Sequence, residues 1–440
     1  MPTPLPAAMQ GPRIYNLFPL LVGSVRDWET QLPHIERMNF NWIFVNPFHE
    51  TGSSGSLYAI KDFYRLNPLF QGKAKVAAED LLSEFLVRAE ERGLFVMMDL
   101  VINHTARDSV LVEQHPEWFA REPDGAIRSP FAVDPNDPNH RTVWTDLAEI
   151  DFDNPAHRTQ MVEYWKDLVR YYIRLGFHGF RCDAAYKVPG EIWREVIEAA
   201  RQMRPETMFL AETLGSPLEQ IAQLHGAGFD YFFNSAKWWD FQSDWLLDQY
   251  ERFRHIAPSV AFPESHDTAR LAAETGGDER QSKLRYLFST YFSAAVMMPV
   301  GYEFGLRRQL HVVMTRPTPG ESPSFDITTF VAAANAMKAA CPVLNDEGPQ
   351  ARFTPPATPL VGLMRRSDKA PGCVAALINP HGDHAHDVAA SHVAEILATS
   401  PQNMTEITPM IAHPFSPSDQ RIRVAPLEMR IFYAEGKAPA

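Results

Sequence analysis

GFRCDAA, residues 179–185, is a short apolar run that closes on an arginine and a carboxylate. It is too short for a helix and lacks the polar alternation of a half-exposed strand, so it reads as a buried strand delivering polar groups at its carboxyl end. The same form recurs on either side, in FVMMDLVINH (95–104), MFLAE (208–212) and SVAFPESHD (259–267). Taken singly, an acid after an apolar run is most often a cap or a solvated turn. Four such runs in one chain, each ending in carboxylate, imidazole or guanidinium, point to strands that converge on one site.

Working outward, eight strands are expected at 14–18, 42–46, 95–100, 179–183, 208–212, 231–234, 259–262 and 294–298. Amphipathic stretches such as 77–92 (AAEDLLSEFLVRAEER), 161–175 and 192–203 alternate with them. Eight βα units in this order predict an α/β fold, a (β/α)8 TIM barrel with its active site at the carboxyl ends of the strands. Many prolines close these runs, as in Asn46-Pro47 and Met298-Pro299, because proline ends a ladder and holds the residue before it extended.

Two segments break the repeat. Residues 105–154 are rich in Pro, Asp, Asn and His without a sustained period and predict an inserted subdomain after the third strand. From 347 to 440, short alternating runs separated by Pro, Asp and His predict a C-terminal antiparallel β domain, a β-sandwich. The barrel is then assigned to 1–104 and 155–346.

Composition narrows the function classes. The 440 residues carry 41 Lys and Arg against 54 Asp and Glu, a net charge of −13, which repels phosphodiester backbones and anionic headgroups. Nucleic acid and membrane are therefore excluded as partners, and composition sets no oligomeric state. Three scattered cysteines, Cys182, Cys341 and Cys373, make neither a disulfide framework nor a zinc site. With no secretory leader in MPTPLPAAMQGPR (1–13), a cytoplasmic location is expected.

The ordered motifs DLVINH (99–104), GFRCDAA (179–185), FLAE (209–212) and ESHD (264–267) resemble glycoside hydrolase family 13, the α-amylase family. YAIKDFYRLNP (58–68), NWIFVNPF (41–48), LAEIDFDNP (147–155) and MPVGYEFG (298–305) extend the resemblance over nearly the whole chain. It implies a retaining enzyme acting on α-glucan or maltooligosaccharide through a covalent β-glycosyl-enzyme. Asp183 matches the nucleophile, Glu212 the general acid/base and Asp267 the third carboxylate, which holds the sugar hydroxyls. Arg181 lies two residues before Asp183, hence on the same strand face. Burial and the neighbouring negative charge of Asp183 should raise the pKa of Glu212. His104 and His266 match the sugar-binding histidines and Tyr58 the aromatic platform beneath the same sugar. Asp62 and Lys187 are carried as further sugar contacts, and Asp99 as a scaffold acid that orients Arg181. Cys182, between Arg181 and the nucleophile, faces away from the lumen and reads as a small apolar core residue.

Where the family commonly has Asp-Ala-Ala-Lys-His, this chain reads Asp183-Ala-Ala-Tyr186-Lys187. The histidine of the family's calcium site is missing, so no cofactor is expected. Were calcium bound, Asn103 is the matching ligand, with Asp134, Asp137 or Asp146 as unanchored additions. The insert HPEWFAREPDGAIR (115–128) and FLAETLGSP (209–217) are similar to bacterial maltosyltransferases that use maltose 1-phosphate. A transferase using that donor or maltooligosaccharides is the alternative, with Trp118, Trp144, Trp238 and Trp239 as candidate acceptor platforms. A catalytically silent glucan-binding barrel is a third reading, which the retained acids disfavour.

Overall fold

The computed structural model describes residues 9, 11–134, 137–317 and 321–436, with the side chains of 134–140 left outside the description. Eight parallel strands close into a barrel: β1 (Arg13–Leu17), β2 (Trp42–Val45), β3 (Phe95–Leu100), β4 (Gly179–Cys182), β5 (Met208–Ala211), β6 (Tyr231–Phe233), β7 (Ser259–Ala261) and β8 (Ala295–Pro299). β1 pairs with both β2 and β8, which closes the ring. Each expected strand is present. The expected ends of β4, β5 and β6 run one residue further than the ladders, because Asp183, Glu212 and Asn234 each keep one hydrogen bond to the neighbouring strand. Asp183 N donates to Leu100 O at 3.1 Å, Glu212 N to Cys182 O at 3.0 Å and Asn234 N to Val260 O at 3.1 Å.

Helices cover the barrel with the faces their periodicity requires. Val25–Arg37 buries Val25, Trp28, Leu32 and Ile35 along one stripe, and its start is fixed by the reciprocal Ser24–Asp27 capping box. Pro155–Leu175 begins six residues before the expected 161. Its first turns are polar, so apolar periodicity misses them, whereas the Asn154 cap, Pro155 at the first position and left-handed Gly176 after the last turn mark both ends.

The segment after β3 is built from short antiparallel pieces. His104–Ala106 pairs with Leu147–Glu149 at its base, and Phe131–Asp134 pairs with Asp137–Val143 further out. The C-terminal part departs from the expected sandwich. A five-stranded antiparallel sheet, in the order Gln350–Arg352, Val361–Arg366, Cys373–Asn379, Glu428–Ala434, Met404–Glu406, is backed by the helix Ala390–Ile396 and a two-stranded ladder of His386–Ala389 with Arg421–Val424. Every residue of Cys373–Asn379 is buried. Val374, Ala376 and Ile378 join the main core while Cys373, Ala375 and Leu377 join a separate cluster, as a two-residue period with both faces covered demands. Among the described residues no helix is long and apolar enough to cross a membrane.

Candidate active site

Three strand ends hold the candidate reacting groups. Asp183 follows β4, Glu212 follows β5, and the backbone between them is shared: Ala184 N donates to Glu212 Oε2 at 2.9 Å and Leu214 N to Glu212 Oε1 at 2.7 Å. To present its N–H in this way Ala184 adopts a left-handed conformation, φ 40° and ψ 47°, which costs a non-glycine residue about 1–3 kcal/mol and persists where surrounding structure enforces it. The two carboxyl groups are thus fixed across a single peptide unit.

A buried polar chain supports them from below. Arg181 Nη1 donates to Asp183 Oδ1 at 2.7 Å and to both oxygens of Asp99 at 2.9 and 3.0 Å. Tyr58 Oη donates to Asp99 Oδ2 at 2.7 Å, accepts from Asn46 Nδ2 at 3.1 Å, and lies 2.7 Å from His266 Nε2. The phenol has a single proton and donates it to Asp99, so His266 Nε2 must be the donor in the other contact. That places the bare nitrogen at Nδ1, which is buried without a partner. His266 Nε2 also lies 3.1 Å from Asp267 Oδ2, so the imidazole ties the third carboxylate to Tyr58.

Burial, reinforced by the charge of Asp183, raises the pKa of Asp99 to about 7 against the pull of Arg181. Burial also raises Glu212 to about 7, with Asp183 and Asp267 adding to it and Arg181 and the Leu214 N–H opposing. Burial lowers the pKa values of His104 and His266, and the Cys182 thiol is pushed well up in the core.

A cavity of about 280 Å³ opens over this floor, lined among others by Tyr58, His104, Trp144, Asp146, Asp183, Tyr186, Lys187, Glu212, Asp267 and Val312. The structure therefore brings Tyr58, His104, Asp183, Lys187, Glu212 and Asp267 together. Arg181 and His266 do not line the cavity; they act beneath it. Asp62 stands elsewhere: its Oδ1 accepts from Tyr64 N at 2.9 Å, and it sits among Tyr64, Tyr164 and Tyr172. His104 Nε2 lies 3.1 Å from Tyr58 O, and Lys187 Nζ donates to Phe131 O at 2.6 Å. Of the four tryptophans, Trp118 and Trp239 are core and Trp238 is exposed away from the cavity, leaving Trp144 at its wall. Sequence reasoning missed Asn46, Ser56 and Val312. Asn46 closes the apolar part of NWIFVNPF, a polar group at a strand end like the others, and could have been found by that rule.

The calcium that the resemblance raises would draw on Asn103. Asn103 Oδ1 is a buried oxygen without a partner, but among the described residues no three His, Cys, Asp or Glu side chains converge. Asp146 faces the same cavity, and the side chains of Asp134 and Asp137 lie outside the described ones.

The family model described as "Glycogen debranching enzyme, glucanotransferase domain" matches residues 8–121. An α-1,4-glucan:maltose-1-phosphate maltosyltransferase from Burkholderia pseudomallei is 26% identical over 410 residues, covering 90% of this chain and 35% of its own. A cyclomaltodextrinase from a Bacillus species is 27% identical over 310 residues, covering 64% of this chain and 52% of its own. The chain thus spans between a third and about half the length of these relatives. The crystal structure of an α-amylase from Lactobacillus plantarum superposes with a TM-score of 0.76 at 21% identity, covering 97% of this chain and 100% of that one. The chain thus shares its closed barrel with a solved α-amylase and is similar along most of its length to a glucan maltosyltransferase and a cyclomaltodextrinase.

Proposed function

We propose that the chain is a retaining enzyme acting on α-1,4-linked glucose, as hydrolase or transglycosidase, with Asp183 as nucleophile and Glu212 as general acid/base. The observation that carries this is the pairing of an Arg181-bound carboxylate with a buried neighbour that keeps its proton to about pH 7, one peptide unit away. Asp183 attacks the anomeric carbon while the glycosidic bond breaks, and the Glu212 proton goes to the departing oxygen. Water or a sugar hydroxyl then gives its proton to Glu212 as it displaces Asp183.

The charge arrangement times these two steps. The negative Asp183 is among the causes that hold the proton on Glu212. Ester formation removes that charge, so Glu212 becomes the base when a base is needed. Asp267, half exposed at the cavity wall, is placed to accept from sugar hydroxyls.

Purified protein supplied with maltohexaose, with products followed by chromatography and NMR, is expected to yield α-configured products. Asp183→Ala should stop turnover while the fold, read by circular dichroism, persists; sugar release at the wild-type rate by that variant would remove Asp183 from its role.

A second reading, transfer from maltose 1-phosphate, draws on the maltosyltransferase that covers 90% of this chain and on Lys187 at the cavity wall. Lengthened oligomers with phosphate release on adding that donor would select it. The buried, unpaired state of Cys182, Cys341 and Cys373 supports a reducing compartment such as the cytoplasm.

A further inference from the structure

Barrel order gives the cavity two distinguishable sides. Glu212 passes its proton to the departing group, so on the glucan activity proposed above the acceptor half of the substrate lies toward β4 and β5, on the side where Tyr186 and Lys187 after β4 and the exposed Trp144 of the insert line the cavity. β1 stands across the barrel from β5, between β2 and β8. The donor sugars, which remain attached to the anomeric carbon at Asp183, extend toward the loops that follow β2 and β8.

Those two loops are joined over that side. Leu57 N donates to Val312 O at 3.0 Å, and Ser56, Tyr58 and Val312 line the cavity beneath the junction. Each foot is anchored. On the β2 side, Ser53 N donates to the Asp108 carboxylate at 3.1 and 3.2 Å. Gly52 lies so close to it that a Cβ would come within 2.4 Å of Asp108 Oδ1. On the β8 side, the Glu321 carboxylate accepts from Arg307 N and Arg308 N at 2.6 and 2.8 Å. The turn itself is held by His311 Nδ1, which accepts from Val313 N and Met314 N at 3.1 and 3.2 Å.

Space exists beyond this strap. A second cavity of about 430 Å³ is lined by Leu310, His311 and Met314 together with Leu21 and Arg270. Val312 faces one cavity while its neighbours face the other, so residues 306–316 form the partition between them.

We propose that this strap makes the donor side of the active site a blind end, so that the enzyme works from the non-reducing end of a glucan and rejects chains that continue past the donor sugars. The proposal rests on the α-glucan activity proposed above. The partition is held at both feet by side-chain carboxylates accepting from main-chain N–H groups and at its middle by the Leu57–Val312 bond, so opening it requires breaking several hydrogen bonds at once.

The test uses the full chain and two maltoheptaosides that differ only in a 4,6-O-ethylidene cap on the non-reducing glucose, with products separated by chromatography. The cap should lower kcat/KM by about 100-fold, the scale on which a packed site rejects a group it has no room for. Equal cleavage of both substrates would overturn the proposal and leave the glucan activity standing. Inertness toward both would overturn the glucan activity and the proposal with it. Two variants address the strap directly: Leu57→Pro, which removes the donor N–H, and replacement of residues 308–315 by a Gly-Ser linker. In either variant that melts cooperatively, the capped substrate should gain at least about 10-fold relative to the uncapped one. Undiminished rejection of the cap by a folded variant would overturn the role of the strap. If neither variant folds, the wild-type comparison decides alone.

Discussion

Glu212 is the residue at which burial, charge and backbone hydrogen bonds are most finely opposed. Because it holds its proton to about pH 7, kcat/KM should fall as pH rises through 7. Glu212→Gln should remove that limb and lower kcat by about 10²–10⁴-fold; a basic limb that persists unchanged in the variant would assign it to another group. Asp99, also raised to about 7, is the alternative bearer. Both acids bind protons more tightly in the folded chain than in the unfolded one, so folding stability should decline between about pH 4 and 7 as the unfolded state ionises first. The carboxylates brought to the cavity were legible because each closes an apolar run, a position that the barrel turns toward its mouth. The placement of Asp62 was not, because Ile60–Leu66 pairs with His49–Thr51 through register shifts, and such irregular pairing leaves the face of a side chain unreadable from sequence. His266 was found as a site residue, but its action through Tyr58 and Asp267 depends on a tertiary contact that no spacing encodes.

At the scale of elements, the strands were read from composition and proline punctuation, whereas the ladders of the insert escaped because its strands are short or, as in DPNHRTV (137–143), without apolar alternation. Gly179 opens β4 for a steric reason: a Cβ there would stand 2.7 Å from Met208 O and 3.2 Å from Met208 Cβ. Gly179→Ala should therefore spread β4 from β5, destabilise the fold by roughly 1–3 kcal/mol, and lower kcat, since the two strands carry Asp183 and Glu212. A thermal melt and a kcat both identical to wild type would show that the strands tolerate the methyl group. The loop after β8 was the least legible element. The MPVGYEFG run ends at Gly305, and the residues that follow have neither strand nor helix periodicity, yet Val312 reaches the cavity. Its position is decided by the partner loop carrying Leu57, a contact between segments about 250 residues apart in sequence.

At the scale of the whole molecule, the C-terminal sheet and the barrel share one core. Arg365 is fully buried and donates to the carbonyls of Tyr291 and Asp346, while Tyr291 Oη donates to Leu363 O at 3.1 Å and Tyr250 Oη to Gly348 O at 2.9 Å. Unfolding should accordingly proceed as a single calorimetric transition, and Arg365→Met, which strands buried carbonyls, should lower stability by about 2–5 kcal/mol. Two separated transitions in the wild-type protein would contradict a shared core. The acidic composition argued against polyanions but could not foretell this docking, which depends on one buried arginine in a tail read only as alternating. The Glu212 carboxyl group is held by main-chain N–H groups just past the strand ends and that of Asp183 by the buried Arg181, while the cavity walls, Trp144, Tyr186, Lys187 and Val312, come from the connecting loops. Descent can therefore rewrite the walls without disturbing the reaction centre, so new preferences can arise by drift in segments that carry little of the folding load. Relatives about a quarter identical to this chain that are named as a maltosyltransferase and a cyclomaltodextrinase are what such inheritance would leave behind: a preserved chemistry under diverging choices of partner.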